Sequence, residues 1–88
     1  MMNTEGLRIF LDNDLYDTKL DLAKRAGSHG SLHIDDDTGE LDVDAFYEDN
    51  FYFSQFVAEV KDTVTEYIDE DLDDIDWDEI ALNIAEEY

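Results

Sequence analysis

The chain lacks cysteine and proline altogether, and it contains only four glycines and five lysine or arginine residues. Without cysteine, neither disulfide bonds nor thiolate chemistry can support the fold. Without proline, no stretch has the composition of a linker, so we expect one acidic globular domain over residues 1–88. No apolar run approaches the roughly 20 residues that span a bilayer, and no signal-peptide segment follows Met1, which favours a cytoplasmic protein.

The scarcity of cations leaves a formal net charge of −21, because the chain carries 26 aspartates and glutamates. Repulsion of this size opposes a compact state and repels nucleic acid and anionic membranes, whereas it attracts strongly basic surfaces. We therefore expect no direct binding to nucleic acid or membranes. The expected partner of this monomer or homodimer is a basic nucleic-acid-binding protein. Hydrophobic residues make up 43% of the chain, which argues against disorder.

No pattern of residues indicates catalysis, a cofactor or a metal. The chain has neither a nucleophile-elbow serine nor a glycine-rich phosphate loop, so we expect no enzyme activity and no cofactor. His29 and His33 would share a face only in a helix, and Gly30 argues against a helix there. The segment from Asp35 to Gly39 resembles the start of a calcium loop. Its glycine comes one position too early, and Phe46 stands where the final glutamate belongs.

Apolar residues alternate in two parts of the chain, which is typical of β-strands. Residues 7–11 alternate in this way and predict a short strand, with one continuous helix from Thr4 to Ala26 as the alternative. Residues 31–44 contain two alternating segments around turn residues, with Gly39 available for a positive φ, and they predict a β-hairpin. The predicted fold class is therefore α+β, a small antiparallel sheet packed with two to three helices.

Helical periodicity predicts helices over about 14–26, 50–70 and 76–87. The first would end at Gly27, and the third would begin at a capping box formed by Asp76 and Glu79. The second has apolar residues at the spacing of one helix face. These residues are Phe53, Phe56, Val57, Val60, Val64, Tyr67 and Ile68.

Residues 62–79 include ten carboxylates and no lysine or arginine, yet apolar residues recur among them. Carboxylates at i and i+4 on a helix lie about 6 Å apart, which is within the range of phosphate separations along a nucleic-acid backbone. We expect partner-binding carboxylates on this segment, on the first helix and on the hairpin tip. They are Asp62, Glu66, Asp69, Glu70, Asp73, Asp74 and Asp76, then Asp14, Asp17 and Asp21, then Asp35, Asp36 and Asp37.

Small size, extreme acidity and aromatic-rich helices together give the whole chain a family resemblance. It resembles the small acidic DNA-mimic proteins that phages and plasmids use against host defences, which include anti-restriction proteins, uracil-DNA glycosylase inhibitors and some anti-CRISPR proteins. The resemblance lies in composition rather than in a sequence motif. It implies a stoichiometric inhibitor that occupies the basic groove of a CRISPR effector or restriction enzyme.

Three other functions are compatible with the same composition. An immunity protein or antitoxin that neutralises a basic toxin would share the charge but would use a local aromatic hot spot, for which Tyr47, Tyr52 and Trp77 are suitable. Adaptation to high salt would explain abundant aspartate and scarce lysine. A transcription activation segment would explain the alternation of acidic and apolar residues from Leu72 to Trp77.

Overall fold

A computed structural model describes residues 2–88, and within them the chain is all-helical. The five α-helices are α1 Thr4–Asn13, α2 Tyr16–His29, α3 Val43–Glu48, α4 Asn50–Tyr67 and α5 Trp77–Ala85, and a 3-10 turn lies at Ser31–His33. Residues 2–88 contain no strand, and a single antiparallel bridge joins Ile34 to Leu41. The predicted α+β fold is therefore wrong.

The predicted strand at residues 7–11 is part of α1. Asn3 caps this helix, because its side-chain oxygen accepts a hydrogen bond of 2.7 Å from the Gly6 amide. Leu7 and Leu11 lie one turn apart and are fully buried, whereas Ile9 between them is exposed. Residues at i, i+2 and i+4 fit an alternating strand, but i and i+4 also share a helix face, so the same leucines fit both structures.

A break at Asp14 and Leu15 separates α1 from α2, so the alternative of one continuous helix is also wrong. The helix predicted at 14–26 exists, but it continues past Gly27 to His29. Gly27 does not end the helix. It allows the ring of Tyr88 to pack closely against α2. A Cβ placed there would lie 2.2 Å from Cε2 of Tyr88.

The predicted hairpin at 31–44 keeps its turn but not its strands. Gly39 has a φ of 72°, and the Asp35 amide donates to the Glu40 carbonyl at 2.8 Å. Helical structure flanks this turn on both sides. Ser31–His33 form the 3-10 turn, and Asp42 caps α3 by accepting a hydrogen bond of 3.2 Å from the Ala45 amide. The flanking residues therefore cannot extend into a ladder.

The two helices predicted near the carboxyl terminus are confirmed with shorter bounds, because α4 ends at Tyr67 and α5 at Ala85. The stripe along α4 is buried at Phe53, Phe56, Val60 and Val64, but Tyr67 is exposed. These residues join buried side chains of the other helices in one hydrophobic core. No helix within residues 2–88 has both the length and the apolar character needed to cross a bilayer.

The predicted capping box at α5 is half correct. Asp76 accepts a hydrogen bond of 3.2 Å from the Glu79 amide, as an N-cap does. Its own amide donates to the Thr4 hydroxyl of α1 at 2.9 Å, so Thr4 takes the role expected of the Glu79 side chain. This contact ties the first turn of α1 to the first turn of α5.

Lys19 of α2 is the one charged side chain buried among the described residues, with 2% exposure. Its ammonium contacts Asp12 and lies 3.6 Å from a carboxylate oxygen of Glu87. A buried ammonium requires such partners because its desolvation would otherwise cost several kcal/mol. Lys19 thereby links α1, α2 and the end of the chain.

Candidate interaction surfaces

All thirteen carboxylates predicted to bind a partner are exposed. None of them takes part in an ion pair within residues 2–88. The ion pairs of the described residues use other carboxylates, which belong to Glu5, Asp12, Asp49, Glu59 and Glu87. Arg8, Lys19 and Arg25 therefore pair with other carboxylates, and no ion pair within residues 2–88 compensates the predicted ones.

The carboxylates of the central segment do not form the long helical row that the sequence predicted. Asp62 and Glu66 lie one turn apart on α4, but the helix ends at Tyr67. The remaining members belong to the non-helical segment of residues 68–76, which we call the acidic linker. These members are Asp69, Glu70, Asp73, Asp74 and Asp76.

The acidic linker is a packed loop. Ile68 and Ile75 are buried near its two ends, and Leu72 between them is half-buried against the core. Asp71 closes a local turn by accepting a hydrogen bond of 3.0 Å from the Asp73 amide. The recurring apolar residues in this part of the sequence therefore anchor the chain while its carboxylates stay in solvent.

A groove of about 480 Å³ lies between the last turns of α4 and the acidic linker. Its lining combines charged and apolar side chains, which are Lys61, Thr65, Ile68, Glu70, Asp71, Leu72, Asp73, Ile75 and Trp77. Because carboxylates outnumber the single lysine, the groove suits the aliphatic stem and charged head of a basic side chain.

The helix ends on either side of the acidic linker have opposite effects on it. The carboxyl end of α4 carries the negative pole of the helix and has no cation in its last turn, so Asp69 and Glu70 are unfavourably placed. Asp78 and Glu79 lie in the first turn of α5, where the positive pole favours them. Helix stability therefore explains only the acidic residues at the α5 end.

The two other predicted carboxylate groups are also rearranged. Asp14 ends α1, and only Asp17 and Asp21 share α2, so the predicted row of three is divided between two helices. In the turn at residues 35–40, Asp35 is partly committed to the fold because its side chain accepts a hydrogen bond of 2.7 Å from the Asp37 amide. Asp36 and Asp37 are exposed on this turn.

The two histidines bind carboxylates of the chain instead of each other. His33 donates from Nε2 to Asp49 at 2.9 Å, since an ionised carboxylate can only accept. This hydrogen bond holds the pKa of Asp49 below its usual range. His29 and Arg25 both contact Glu59. Partial burial raises the pKa of Glu59, but the hydrogen bonds and charges of His29 and Arg25 outweigh it, so its pKa is lowered.

No group of three or more histidine and carboxylate side chains within residues 2–88 is arranged to hold a metal ion.

Three exposed aromatic rings lie where α3 meets α4, and we call them the aromatic surface. Phe51 is 67% exposed, Tyr47 44% and Tyr52 36%. The rings of Phe51 and Tyr52 meet edge to face with centroids 5.0 Å apart, and Tyr47 packs on the buried Phe53 at 5.2 Å. The sequence analysis identified Tyr47 and Tyr52 as suitable interface residues but not Phe51. Phe51 falls outside the i, i+3, i+4 stripe of α4, and that spacing could have identified it as exposed.

Comparison with protein-family models, curated protein sequences and solved structures finds no match to this chain. The exposed surfaces of the protein are therefore the basis for assigning a function.

Proposed function

We propose that this protein is a DNA-mimicking inhibitor, which acts in the cytoplasm by occupying the basic groove of a nucleic-acid-binding protein such as a CRISPR effector or a restriction enzyme. One observation carries the proposal. The carboxylates of the acidic linker, together with Asp62 and Glu66 of α4, are exposed and form no ion pair within residues 2–88, although the protein has a net charge of −21. Solubility needs a net charge of only about 2–8 in a small domain.

The protein competes with nucleic acid for the lysine and arginine side chains of the partner's groove. A groove that binds nucleic acid contacts mainly backbone phosphates, which it recognises largely without regard to sequence. Carboxylates held on a folded surface offer the same negative charge to these cations. Because the acidic linker is anchored by Ile68 and Ile75, its carboxylates lose little conformational freedom on binding. Association is fast at low ionic strength and slows as salt screens the attraction.

A carboxylate-rich loop at the carboxyl end of α4 also supports the proposal on energetic grounds. Each such charge near the negative pole of a helix costs about 0.3–1 kcal/mol. Neutral residues at the positions of Asp69 and Glu70 would avoid this cost. The acidic linker is therefore the surface on which we place the main contact.

Competition with DNA tests this proposal. A basic protein recovered from a lysate on the immobilised chain is first titrated with labelled DNA and then challenged with the free chain at several salt concentrations. We expect stoichiometric displacement of the DNA that weakens steeply with salt. Unstructured polyglutamate of equal charge is the control, and it should displace DNA far less because it is not preorganised. Simultaneous binding of the DNA and the chain would contradict the proposal.

The aromatic surface favours a second function, that of an immunity protein or antitoxin. Protein interfaces are enriched in tyrosine and phenylalanine, and a small central cluster often supplies most of the binding energy. Alanine scanning of the complex separates the two functions. Losses confined to Tyr47, Tyr52 or Trp77 favour a toxin partner, and losses spread over the carboxylates favour mimicry.

A further inference from the structure

Two carboxylates that form no ion pair within residues 2–88 lie beside the aromatic surface. Asp44 and Glu48 are exposed on α3 beside Tyr47, at the i, i+3, i+4 spacing that places all three on one side of the helix. Phe51 and Tyr52 follow in the first turn of α4. Exposed rings and exposed carboxylates therefore occur together in one short stretch of the chain.

This arrangement is held firmly at the junction of the two helices. Asp49 ends α3 and caps α4, since its amide donates to the Ala45 carbonyl at 3.2 Å and its side chain accepts a hydrogen bond of 3.4 Å from the Tyr52 amide. His33 holds the other carboxylate oxygen at 2.9 Å. The rings are thus presented on a preorganised corner, which lowers the entropy cost of binding.

The charge of the chain limits what can cover the aromatic surface. A second copy would bring another net charge of −21 against the first, and an anionic membrane would be repelled in the same way. The complementary occupant must be a strongly basic protein. It must also offer flat or apolar receptors between its cations, because Phe51 is 67% exposed and would otherwise remain in water on binding.

We propose, building on the proposed function, that the partner is a single-stranded nucleic-acid-binding groove, in which the exposed rings take the place of bases and the carboxylates take the place of phosphates. Such grooves combine a basic track for the backbone with aromatic side chains on which bases stack. A groove for duplex DNA chiefly contacts phosphates and has no stacking platform for an exposed ring. Of these two kinds of groove, only the first provides aromatic side chains on which the exposed rings can stack.

The test compares the two kinds of nucleic acid as competitors. Protein captured from a lysate on the immobilised chain is eluted with oligothymidylate or with a duplex that carries the same number of phosphates, at one ionic strength. The eluted protein is then purified, and its affinity is measured for the wild-type chain and for Tyr47→Ser, Phe51→Ser and Tyr52→Ser. Tyr88→Ser is the matched control, because Tyr88 is an exposed ring outside both the aromatic surface and the acidic linker, with 48% exposure.

We expect oligothymidylate to elute the protein at a lower concentration than the duplex does. Each serine variant of the aromatic surface should weaken binding by about 5- to 150-fold, the range measured for the loss of one stacked ring, while Tyr88→Ser changes little. Circular dichroism checks that the variants remain folded.

Four results would overturn the inference, and they differ in what they imply for the proposed function. Elution by the duplex in preference to oligothymidylate removes the inference and leaves inhibition by DNA mimicry intact, and so do ring variants that bind like Tyr88→Ser. Capture that neither nucleic acid reverses removes both proposals, and a loss confined to the ring variants would then favour the immunity function. Absence of any captured basic protein also removes both.

Discussion

The two ends of α4 are built in opposite ways. At its amino end, Asp49 caps the helix, His33 holds Asp49, and Phe46 and Phe53 pack beneath with ring centroids 5.2 Å apart. At its carboxyl end, α4 ends at Tyr67 and has no cation in its last turn, and the carboxylates of the acidic linker follow it. The amino end satisfies the ordinary requirements of helix stability, whereas the carboxyl end departs from them, which is typical of a surface retained for binding.

The largest effect on stability should come from replacing a buried aromatic ring that packs beneath the amino end of α4. Phe46 is fully buried and contacts both Phe53 and Phe56. Phe46→Ala should therefore lower the free energy of unfolding by about 3–5 kcal/mol, measured by urea denaturation. The control is Phe51→Ala, five positions further on and largely exposed, which should change it by less than about 0.5 kcal/mol. Equal losses for the two variants would contradict the assignment of Phe51 to the surface.

Charge removal at the carboxyl end should stabilise the protein. Asp69→Asn with Glu70→Gln relieves repulsion with the helix pole, so the free energy of unfolding should rise by about 0.3–1 kcal/mol per residue. Asp78→Asn with Glu79→Gln removes the same charge from the amino end of α5, where the helix pole favours carboxylates. The loss of this interaction should lower the free energy of unfolding. The difference between these two double variants should shrink in 1 M salt, where the Debye length is about 3 Å. Equal stabilities of the two at low salt would show that the helix poles have no influence here.

The hydrogen bonds of Asp49 and Glu59 should give a smaller, pH-dependent effect. Both groups have a pKa below the usual range, so their contribution to stability is present above the unfolded-state pKa and is lost as pH falls through the folded-state pKa. The difference in Tm between the wild type and Asp49→Asn with Glu59→Gln should therefore narrow as the pH falls from neutral toward the acidic range. Comparison with the variant is needed because protonation of the other carboxylates relieves repulsion at the same time. A difference in Tm that stays constant with pH would contradict the lowered pKa values.

Local sequence patterns correctly predicted the elements whose residues fit only one type of secondary structure. The stripe of α4, the Asp76 cap and the turn at Gly39 were predicted correctly because each depends on neighbours within four residues. The strand at residues 7–11 was wrong because Leu7 and Leu11 fit both an alternating strand and one helix face. Local preference could not decide between them, and packing in the core did.

Contacts between distant residues could not be read from the sequence. The bond from the Asp76 amide to Thr4 joins residues that are far apart in the chain, and burial of Lys19 depends on Asp12 and Glu87. The thirteen carboxylates predicted to bind a partner are exposed, but their predicted helical rows were not found, because α4 ends at Tyr67 and a break separates Asp14 from α2. Their role in binding stays a prediction.

The most direct measurement of the central claim is the affinity of a captured basic partner for two triple variants that lose the same charge. The first is Asp69→Asn, Asp73→Asn and Asp74→Asn in the acidic linker. The second is Glu40→Gln, Asp78→Asn and Glu86→Gln, which are exposed elsewhere. We predict that the linker variant binds about tenfold or more weakly and depends less on salt, while the second variant stays close to the wild type. Equal weakening by both variants would mean that net charge alone attracts the partner, which would contradict a defined phosphate-like surface.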